Sequence, residues 1–267
     1  MKLIRFQASD GNIQYAALQP DGSARAISGD IFGKFEVTST TVTPHKLLAP
    51  VVPTNILCIG LNYRRHAAEG NVPVPERPVL FMKATTAVQN PSDPIVLPRH
   101  LRSDEVDYEC ELAVVIGRTC KNVSRENALD YVLGYTCAND VSARDWQIKW
   151  GGSQWCRGKT FDTFVPLGPC LVLKDEIPDP AALKIRTVLN GQVMQDWRCD
   201  DFIFDIPSII AVLSGSTTLL PGTVILTGTP HGVGFARKPP VFLQPGDTVT
   251  IEIDRIGALT NPVIAEA

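Results

Sequence analysis

Residues 106–116 read Val-Asp-Tyr-Glu-Cys-Glu-Leu-Ala-Val-Val-Ile. Side chains alternate across a β-strand, so this pattern predicts a strand with apolar residues on one face and Asp107, Glu109 and Glu111 on the other. The three carboxylates would lie about 6.5–7 Å apart along the backbone. The run continues into the wholly apolar residues 113–116, which indicates a buried neighbourhood where uncompensated carboxylates are costly.

Most other apolar runs are also short, often β-branched, and bounded by the 21 prolines and 20 glycines. Strands are predicted at residues 2–7, 13–18, 55–60, 79–83, 134–139, 223–227 and 248–254, with the strands at 55–60 and 79–83 buried. Asn190-Gly191 predicts a hairpin between 185–189 and 192–195. Because strands outnumber helices and do not alternate with them regularly, the sequence predicts a β-dominated α+β fold.

Two longer helices and one short one are predicted. The first covers residues 125–133, begins after Ser124 and ends at Gly134. The second begins at Asp205 with Pro207 in its first turn and closes at Gly215. The short one covers residues 142–148.

The 267 residues are enough for one large domain, or for a large and a small one. We expect a small N-terminal β-rich unit at residues 1–50, with a linker at 38–44, and the main domain at 51–267. The seven cysteines include no C-x-x-C pair and only four histidines accompany them, which makes a cysteine-rich zinc site improbable. They are expected to be core residues in a reducing compartment.

Composition argues against several classes of protein. No run approaches the ~20 uncharged apolar residues of a membrane span. The start, MKLIRFQASDG, lacks the apolar region of a secretory signal. The formal net charge is −3 without Lys/Arg runs, which is not the pattern of a nucleic-acid-binding surface. We therefore expect a cytoplasmic protein, with the mitochondrion as the alternative in a eukaryote, and no nucleic-acid or membrane partner.

The carboxylates of the 106–116 strand have two interpretations. In general such alternation marks the solvated face of an edge strand. Alternatively, Glu109 and Glu111 hold a hard cation, since oxygen ligands favour Mg²⁺, Mn²⁺ or Ca²⁺. Asp140, at the end of the predicted strand 134–139, would supply a third ligand, although a lone Asp there is more often the N-cap of a helix.

Two further segments are candidates for proton transfer and for anion binding. His66 and Glu69 lie three residues apart and would share a helix face, as a proton-transfer pair or as an ordinary surface pair. The Gly-rich residues 228–234 follow a strand and form either an anion-binding turn or merely a tight loop. The sequence has neither G-x-G-x-x-G nor G-x-S-x-G, and Ser153 replaces the first glycine that a phosphate loop ending at 158–160 requires.

Seven segments in order resemble the fumarylacetoacetate hydrolase superfamily: GLNYRRHAAE at 60–69, FMK at 81–83, DYECELA at 107–113, NDVSARD at 139–145, GKTFDTF at 158–164, TGTPHGVG at 227–234 and PGD at 245–247. The similarity covers about residues 50–264. Residues 158–169 and 237–243 most resemble the branch of FAH domain-containing protein 2.

The resemblance implies a roll of mixed β-sheets with few short helices, usually in a homodimer. It also implies one Mg²⁺ or Mn²⁺ bound by the residues that match Glu109, Glu111 and Asp140. It places His66 and Glu69 on a mobile lid.

The resemblance further implies a site for a small 2-oxo acid. Lys159 would lie beside the metal, and Arg144, Gln147 and Thr229 match positions around the 2-oxo acid end of the substrate. The Gly228–Thr229 turn can hold the substrate carboxylate.

The implied reaction runs through a metal-bound enolate. The intact set of His66, Glu69 and Lys159 favours C–C bond hydrolysis of an acylpyruvate. Oxaloacetate tautomerisation and oxaloacetate decarboxylation are the alternatives. A non-catalytic protein that binds a metal or a 2-oxo acid is an alternative of another class.

Overall fold

The computed structural model describes residues 1–267, which form nineteen strands and three short α-helices. The strands are β1 (Lys2–Gln7), β2 (Ile13–Leu18), β3 (Ala24–Gly29), β4 (Phe35–Val42), β5 (Lys46–Leu48), β6 (Ile56–Gly60), β7 (Val79–Lys83), β8 (Val88–Gln89), β9 (Ile95–Leu97), β10 (Val106–Asp107), β11 (Cys110–Ile116), β12 (Val132–Asn139), β13 (Ser142–Ala143), β14 (Val165–Leu173), β15 (Lys184–Leu189), β16 (Gln192–Arg198), β17 (Val224–Leu226), β18 (Thr248–Ile253) and β19 (Gly257–Ala265). The helices are α1 (Arg64–Glu69), α2 (Cys156–Lys159) and α3 (Ile206–Ser214).

The strands form one large mixed sheet and two smaller ones, which confirms the predicted β-dominated α+β class. The large sheet has the order β4-β3-β2-β1-β14-β12-β11-β17-β6-β7, with β5 paired to β1 and β8 to β14. A second sheet has the order β16-β15-β18-β19-β9, and β10 pairs with β13. The N-terminal strands join the large sheet through antiparallel pairing of β1 with β14.

The core lies against both faces of the central strands. All seven residues of β11 are buried, because β11 pairs with β12 on one side and β17 on the other. Six of the seven cysteines are buried, and all seven are free thiols. None of the helices combines the length and the apolar character that crossing a membrane requires.

The predicted hairpin turn and the predicted second helix are both confirmed. The Asn190-Gly191 turn joins β15 and β16, which pair antiparallel. Asp205 caps α3, since its side chain accepts a hydrogen bond of 2.9 Å from the backbone N–H of Ser208. The helix ends at Gly215, as predicted.

The helix predicted at residues 125–133 is wrong in type and extent. Residues Arg125–Tyr131 form a 3₁₀ helix, and Ser124 makes no side-chain cap. The chain enters β12 at Val132, because pairing with β11 and β14 outweighs the local helical pattern.

Three other local predictions differ from the structure. Much of the linker predicted at 38–44 belongs to strand β4, whose Thr- and Val-rich sequence suits pairing with β3. The helix predicted at 142–148 is replaced by β13 and a π-helix, Asp145–Lys149. Strand β7 is not buried throughout, since it is an edge strand with Leu80 and Met82 about half exposed.

Candidate active site

The strand predicted at 106–116 is interrupted at Tyr108–Glu109. Strand β10 before the break pairs with β13, and β11 after it lies inside the large sheet. Asp107, Glu109 and Glu111 are only 0%, 4% and 2% exposed. The solvated edge-strand interpretation is therefore wrong, and each buried carboxylate needs a partner.

Pairing of β11 with β12 brings the three predicted metal ligands together. Cys110 lies opposite Asn139, so Asp140 follows directly beside Glu109, and its backbone N–H donates 2.9 Å to the Glu109 carbonyl oxygen. One carboxylate oxygen each from Glu109, Glu111 and Asp140 lies within 4.8 Å of the others. The structure thus gathers residues in and next to β11 and β12 into one acidic cluster, and Asp140 is not a helix cap.

Two buried lysines contact this cluster. Lys159 Nζ, at the end of α2, lies 2.8 Å from Glu109 Oε2 and 2.8 Å from Asp140 Oδ2. Lys83, the last residue of β7, pairs with Asp140 Oδ1 and donates to two backbone carbonyls at 3.0 and 2.8 Å. Asp140 is therefore held from both sides by ammonium groups.

Arg144 contacts the cluster from the end of β13. Its Nη1 lies 2.7 Å from Glu109 Oε1 and donates 2.9 Å to Gln147 Oε1. Its Nε and Nη2 donate to Asp107 Oδ2 at 2.9 and 2.8 Å. The π-helix that follows Arg144 places Gln147 on the cavity described below, which is a common use of π-helical turns.

Glu109 and Glu111 differ in their electrostatic surroundings. Burial alone would raise the pKa of Glu109, but Lys159 and Arg144 outweigh it and lower that pKa. Burial raises the pKa of Glu111 well above its usual range, and the charges of Asp140 and Glu109 add to the rise. Glu111 contacts no cation and accepts only the backbone N–H of Gly228, at 2.7 Å.

The charges of the cluster fit a divalent cation. When all are ionised, the three carboxylates of the cluster and the adjoining Asp107, taken with the cationic Lys83, Arg144 and Lys159, leave a net charge of −1. A divalent ion would bring the sum to +1 and would relieve the repulsion on Glu111. The resulting positive charge suits an anionic substrate. Carboxylate oxygens without Cys or His suit a hard ion such as Mg²⁺ or Mn²⁺.

His66 and Glu69 form a pair on α1, which begins four residues after β6. His66 Nδ1 lies 3.2 Å from Glu69 Oε2. Glu69 Oε1 in turn accepts 2.8 Å from the backbone N–H of Gly232. The helix is thereby attached to the Gly-rich turn, and His66 is buried while Glu69 remains at the surface.

Two backbone N–H groups of the Gly-rich turn after β17 bind carboxylates of the protein itself. The Gly228 N–H is taken by Glu111 and the Gly232 N–H by Glu69. Thr229 Oγ1 donates 2.9 Å to the Cys110 carbonyl and accepts 2.8 Å from Gln195 Nε2. The Thr229 hydroxyl thus already has a donor and an acceptor within the protein.

A cavity of about 280 Å³ lies over the cluster. Seven of the ten predicted site residues line it: His66, Glu109, Glu111, Arg144, Gln147, Lys159 and Thr229. Glu69, Asp140 and Gly228 do not line it and contact residues that do. The apolar part of the cavity wall is formed by Ile59, Leu61, Val72, Phe81, Ile148, Trp155 and Phe235.

Sequence reasoning did not assign Lys83 and Gln195. Lys83 closes an apolar strand, and a lysine in that place is a weak signal of a buried acidic partner. Gln195 Oε1 accepts from the Thr187 hydroxyl at 2.7 Å and from the Cys110 N–H at 3.0 Å. Gln195 thereby connects β16 to β11 and β15. Nothing in the local pattern of β16 indicates this connecting role, because the partners of Gln195 lie on other strands.

The β-dominated fold carries a buried cluster of three carboxylates that could hold a metal ion. The chain belongs to the fumarylacetoacetate hydrolase family: a family model described as Fumarylacetoacetate (FAA) hydrolase C-terminal matches residues 55–264. A second model, described as Rv2993c-like, N-terminal, matches residues 1–50.

Individual relatives agree with this assignment. A Xenopus laevis protein named Oxaloacetate tautomerase fahd2, mitochondrial, is 54% identical over 219 residues, which cover 82% of this chain and 68% of that one. It confirms the predicted similarity to the FAH domain-containing protein 2 branch.

Two solved structures match over the full length of this chain and of their own. A structure described as 5-carboxymethyl-2-hydroxymuconate delta-isomerase from Mycobacterium smegmatis is 42% identical with a TM-score of 0.86. A structure described as fumarylacetoacetate hydrolase from Exiguobacterium antarcticum is 36% identical with a TM-score of 0.90. The family fold is therefore present over the whole chain.

Proposed function

We propose that the protein is an oxaloacetate tautomerase that interconverts the keto and enol forms with a divalent cation. The observation that carries this proposal is the 54% identity to a relative of that name. The buried acidic cluster and the cavity above it supply the chemistry that such a reaction needs. C–C bond hydrolysis, the first expectation from the sequence, becomes the second candidate.

Glu109, Glu111 and Asp140 are the proposed ligands for Mg²⁺ or Mn²⁺. A divalent ion held there supplies Lewis-acid stabilisation of negative charge on the keto oxygen of the substrate. Lys159 contributes a second positive charge in the same place, because its ammonium group contacts two of the three ligands.

Arg144 and Gln147 are proposed to bind the carboxylate next to the keto group. In the Gly228–Thr229 turn the Gly228 N–H and the Thr229 hydroxyl are taken by protein groups, so the backbone N–H of Thr229 is the donor proposed for the substrate. The apolar wall, with Phe81, Trp155 and Phe235, limits water at the reacting carbons.

His66 is the proposed proton carrier. In the keto-to-enol direction the C3–H bond breaks and the proton passes to His66. The electron pair of that bond forms the C2–C3 double bond, and His66 returns the proton to the former carbonyl oxygen, which regenerates neutral His66. Glu69 orients the imidazole through Nδ1, so that the other ring nitrogen is available for the transfer.

The decay of enol-oxaloacetate absorbance tests this proposal. We expect the protein with Mg²⁺ to accelerate the decay above the rate with Mg²⁺ alone, and we expect EDTA or Glu109→Gln to abolish the gain. Glu252→Gln, which alters a surface carboxylate paired with Arg186, is the matched control and should keep full activity. A wild-type protein no faster than protein-free Mg²⁺ contradicts the proposal.

Hydrolysis of acylpyruvates is the second candidate, and the pairing of His66 with Glu69 at an apolar-walled cavity favours it. The same pair could activate water on a distal carbonyl. A panel of acylpyruvates, with pyruvate release as the readout, separates this reaction from tautomerisation. Carbon dioxide release from oxaloacetate would identify a decarboxylase. Oxaloacetate binding without any turnover would identify the non-catalytic alternative.

A homodimer and the division into units 1–50 and 51–267 are also part of the proposal. The exposed Leu80 and Met82 on edge strand β7 support a second copy of the chain as partner. The reducing compartment expected from the free cysteines is consistent with the cytoplasm. The Xenopus laevis relative is named as mitochondrial, which favours that organelle if the chain comes from a eukaryote.

A further inference from the structure

Asp107 is the carboxylate of the 106–116 stretch that the acidic cluster leaves out. It is fully buried and accepts five N–H groups. Oδ1 accepts from the backbone N–H groups of Tyr108 and Gly234, both at 2.8 Å. Oδ2 accepts from the Phe235 N–H at 3.0 Å and from Nε and Nη2 of Arg144 at 2.9 and 2.8 Å.

The contact with Asp107 fixes the direction of the guanidinium group. Arginine has five N–H donors in one rigid plane. Because Asp107 occupies the edge formed by Nε and Nη2, Nη1 is directed towards Glu109 and Gln147, which line the cavity. No other carboxylate contacts the Nε edge of Arg144.

Asp107 also fixes the surface on which the guanidinium group rests. Arg144 Cζ lies 4.5 Å from the centroid of the Phe235 ring, and Asp107 binds the backbone of both Phe235 and Gly234. A Cβ atom at Gly234 would lie 2.5 Å from Asp107 Oδ1 and 1.9 Å from the Val241 carbonyl oxygen. The loop therefore approaches Asp107 as closely as only glycine permits.

We propose that Asp107 is a positioning residue that holds the guanidinium group of Arg144 at the cavity wall, beside Glu109 and Gln147, and so sets the affinity for the substrate carboxylate. This inference rests on the proposed role of Arg144 in carboxylate binding. Without the negative charge of Asp107, Glu109 becomes the only carboxylate partner of Arg144. The guanidinium group then turns towards Glu109 and is lost to the substrate.

Oxalate binding to the Mn²⁺-loaded enzyme tests the inference, with titration calorimetry at saturating Mn²⁺ as the readout. Oxalate presents the same pair of neighbouring oxygens as a 2-oxo acid. Asp107→Asn removes the charge and one of the two acceptor oxygens with little change in volume. We expect the oxalate Kd to rise by about 10-fold to 100-fold, the loss of one charge-assisted hydrogen bond. In turnover, KM should rise while kcat changes less.

A matched control separates positioning from a general effect of a buried aspartate. Asp145 is 3% exposed and follows Arg144 directly, but it binds Ser103, Asp104 and Trp146 and does not contact Arg144. Asp145→Asn should leave the oxalate Kd within about twofold of the wild type, because the Asp145 side chain contacts neither Arg144 nor the cavity.

The double variant provides the decisive comparison. If Asp107 acts through Arg144, Asp107→Asn adds nothing to the loss already caused by Arg144→Gln. Effects that multiply, or a wild-type Kd in Asp107→Asn, overturn the inference. If Arg144→Gln itself leaves the Kd unchanged, the proposed role of Arg144 fails instead.

Arg144→Lys tests the same inference if Asp107→Asn does not fold. Lysine keeps the charge but cannot contact Asp107 and the cavity with separate N–H groups of one plane. We expect it to bind oxalate as weakly as Arg144→Gln. Binding at wild-type strength would show that the planar guanidinium group held by Asp107 is unnecessary and would overturn the inference.

Discussion

Glu109 and Glu111 lie two residues apart, but only Glu109 contacts cationic side chains. Lys159 and Arg144 keep Glu109 ionised before any metal binds, whereas Glu111 has one backbone N–H as its partner. Glu111 therefore gains most from a bound cation. It follows that the two residues are not equivalent ligands, although the sequence presents them symmetrically.

His66→Ala tests the proton-transfer role. Because a positioned general base contributes about 100-fold to 10,000-fold, we expect kcat for oxaloacetate tautomerisation to fall by that range. Metal content should not change, since His66 is not among the grouped carboxylates. The measurement is the initial rate of enol decay at saturating substrate, together with elemental analysis.

His100→Ala is the matched control, because His100 is exposed and lies outside the cavity. It should retain the wild-type rate. A His66→Ala enzyme with undiminished tautomerase activity would remove His66 from that mechanism. If the same variant then failed to cleave acylpyruvates that the wild type cleaves, the hydrolase candidate would take first place.

Two of the proposed ligands, Glu109 and Glu111, could be placed together from the sequence because they follow the two-residue period of a strand. The same reasoning placed Asp107 on the face of Glu109 and Glu111. The strand is interrupted at Tyr108–Glu109, however, and Asp107 pairs with Arg144 outside the acidic cluster. Lys83 was not assigned, because its partner Asp140 lies 57 residues away. Local periodicity carries no information about such distant pairs.

At the scale of elements, α1 and the Gly-rich turn are joined by a hydrogen bond between Glu69 and Gly232. Gly232 has φ +97°, which favours glycine, and its N–H binds Glu69. A Cβ atom there would lie 2.4 Å from the Met194 carbonyl oxygen of β16. The turn thus connects β16, α1 and the cavity, and its geometry determines where the His66–Glu69 pair lies.

Gly232→Ala should destabilise the protein and reduce its activity. The left-handed backbone conformation alone costs about 1–2 kcal/mol for a residue with a Cβ, and the contact with Met194 adds to that. Gly246→Ala is the control, because Gly246 has φ +96° with nothing within 4 Å of its Cβ position.

Urea unfolding and turnover measure the difference between the two variants. We expect the lower free energy of unfolding in Gly232→Ala, and a reduced rate in that variant alone. Equal stability and equal rates for both variants would contradict the role given to the turn.

Elements were predicted best where the signal is local. The Asn190-Gly191 hairpin and the Asp205 cap depend on neighbouring residues, and both are as expected. The helix at 125–133 was not, because β12 begins at Val132 to pair with β11 and β14. The tertiary pairing of a strand outweighs a weak helical pattern, and the sequence does not display that pairing.

At the scale of the molecule, the sheet concentrates charge from distant parts of the chain at one place. Lys83, Glu109, Glu111, Asp140 and Lys159 come from four segments, and pairing in the large sheet unites β7, β11 and β12. A cation bound there holds segments that separate in the unfolded chain. Its binding energy therefore contributes to the stability of the whole fold.

We expect Mg²⁺ or Mn²⁺ to raise the free energy of unfolding by about 2.7 kcal/mol at 100 times the Kd. For a chain of this size, that corresponds to about 5–10 °C in Tm. Glu111→Gln should abolish the rise, because one of three charged ligands is lost and Mg²⁺ competes poorly with its own hydration shell. Glu252→Gln, on the surface, should keep it.

The stability of the metal-free proteins distinguishes a metal ligand from a residue that only supports the fold. Glu111 is buried beside two other carboxylates and contacts no cation, so its charge is a cost in the metal-free protein. Glu111→Gln should therefore be at least as stable as the wild type in EDTA and less stable than it in Mg²⁺. A ligand that merely supports the fold would lower stability under both conditions. An unchanged metal response in Glu111→Gln, measured by calorimetry, would place the stabilising ion elsewhere on the protein.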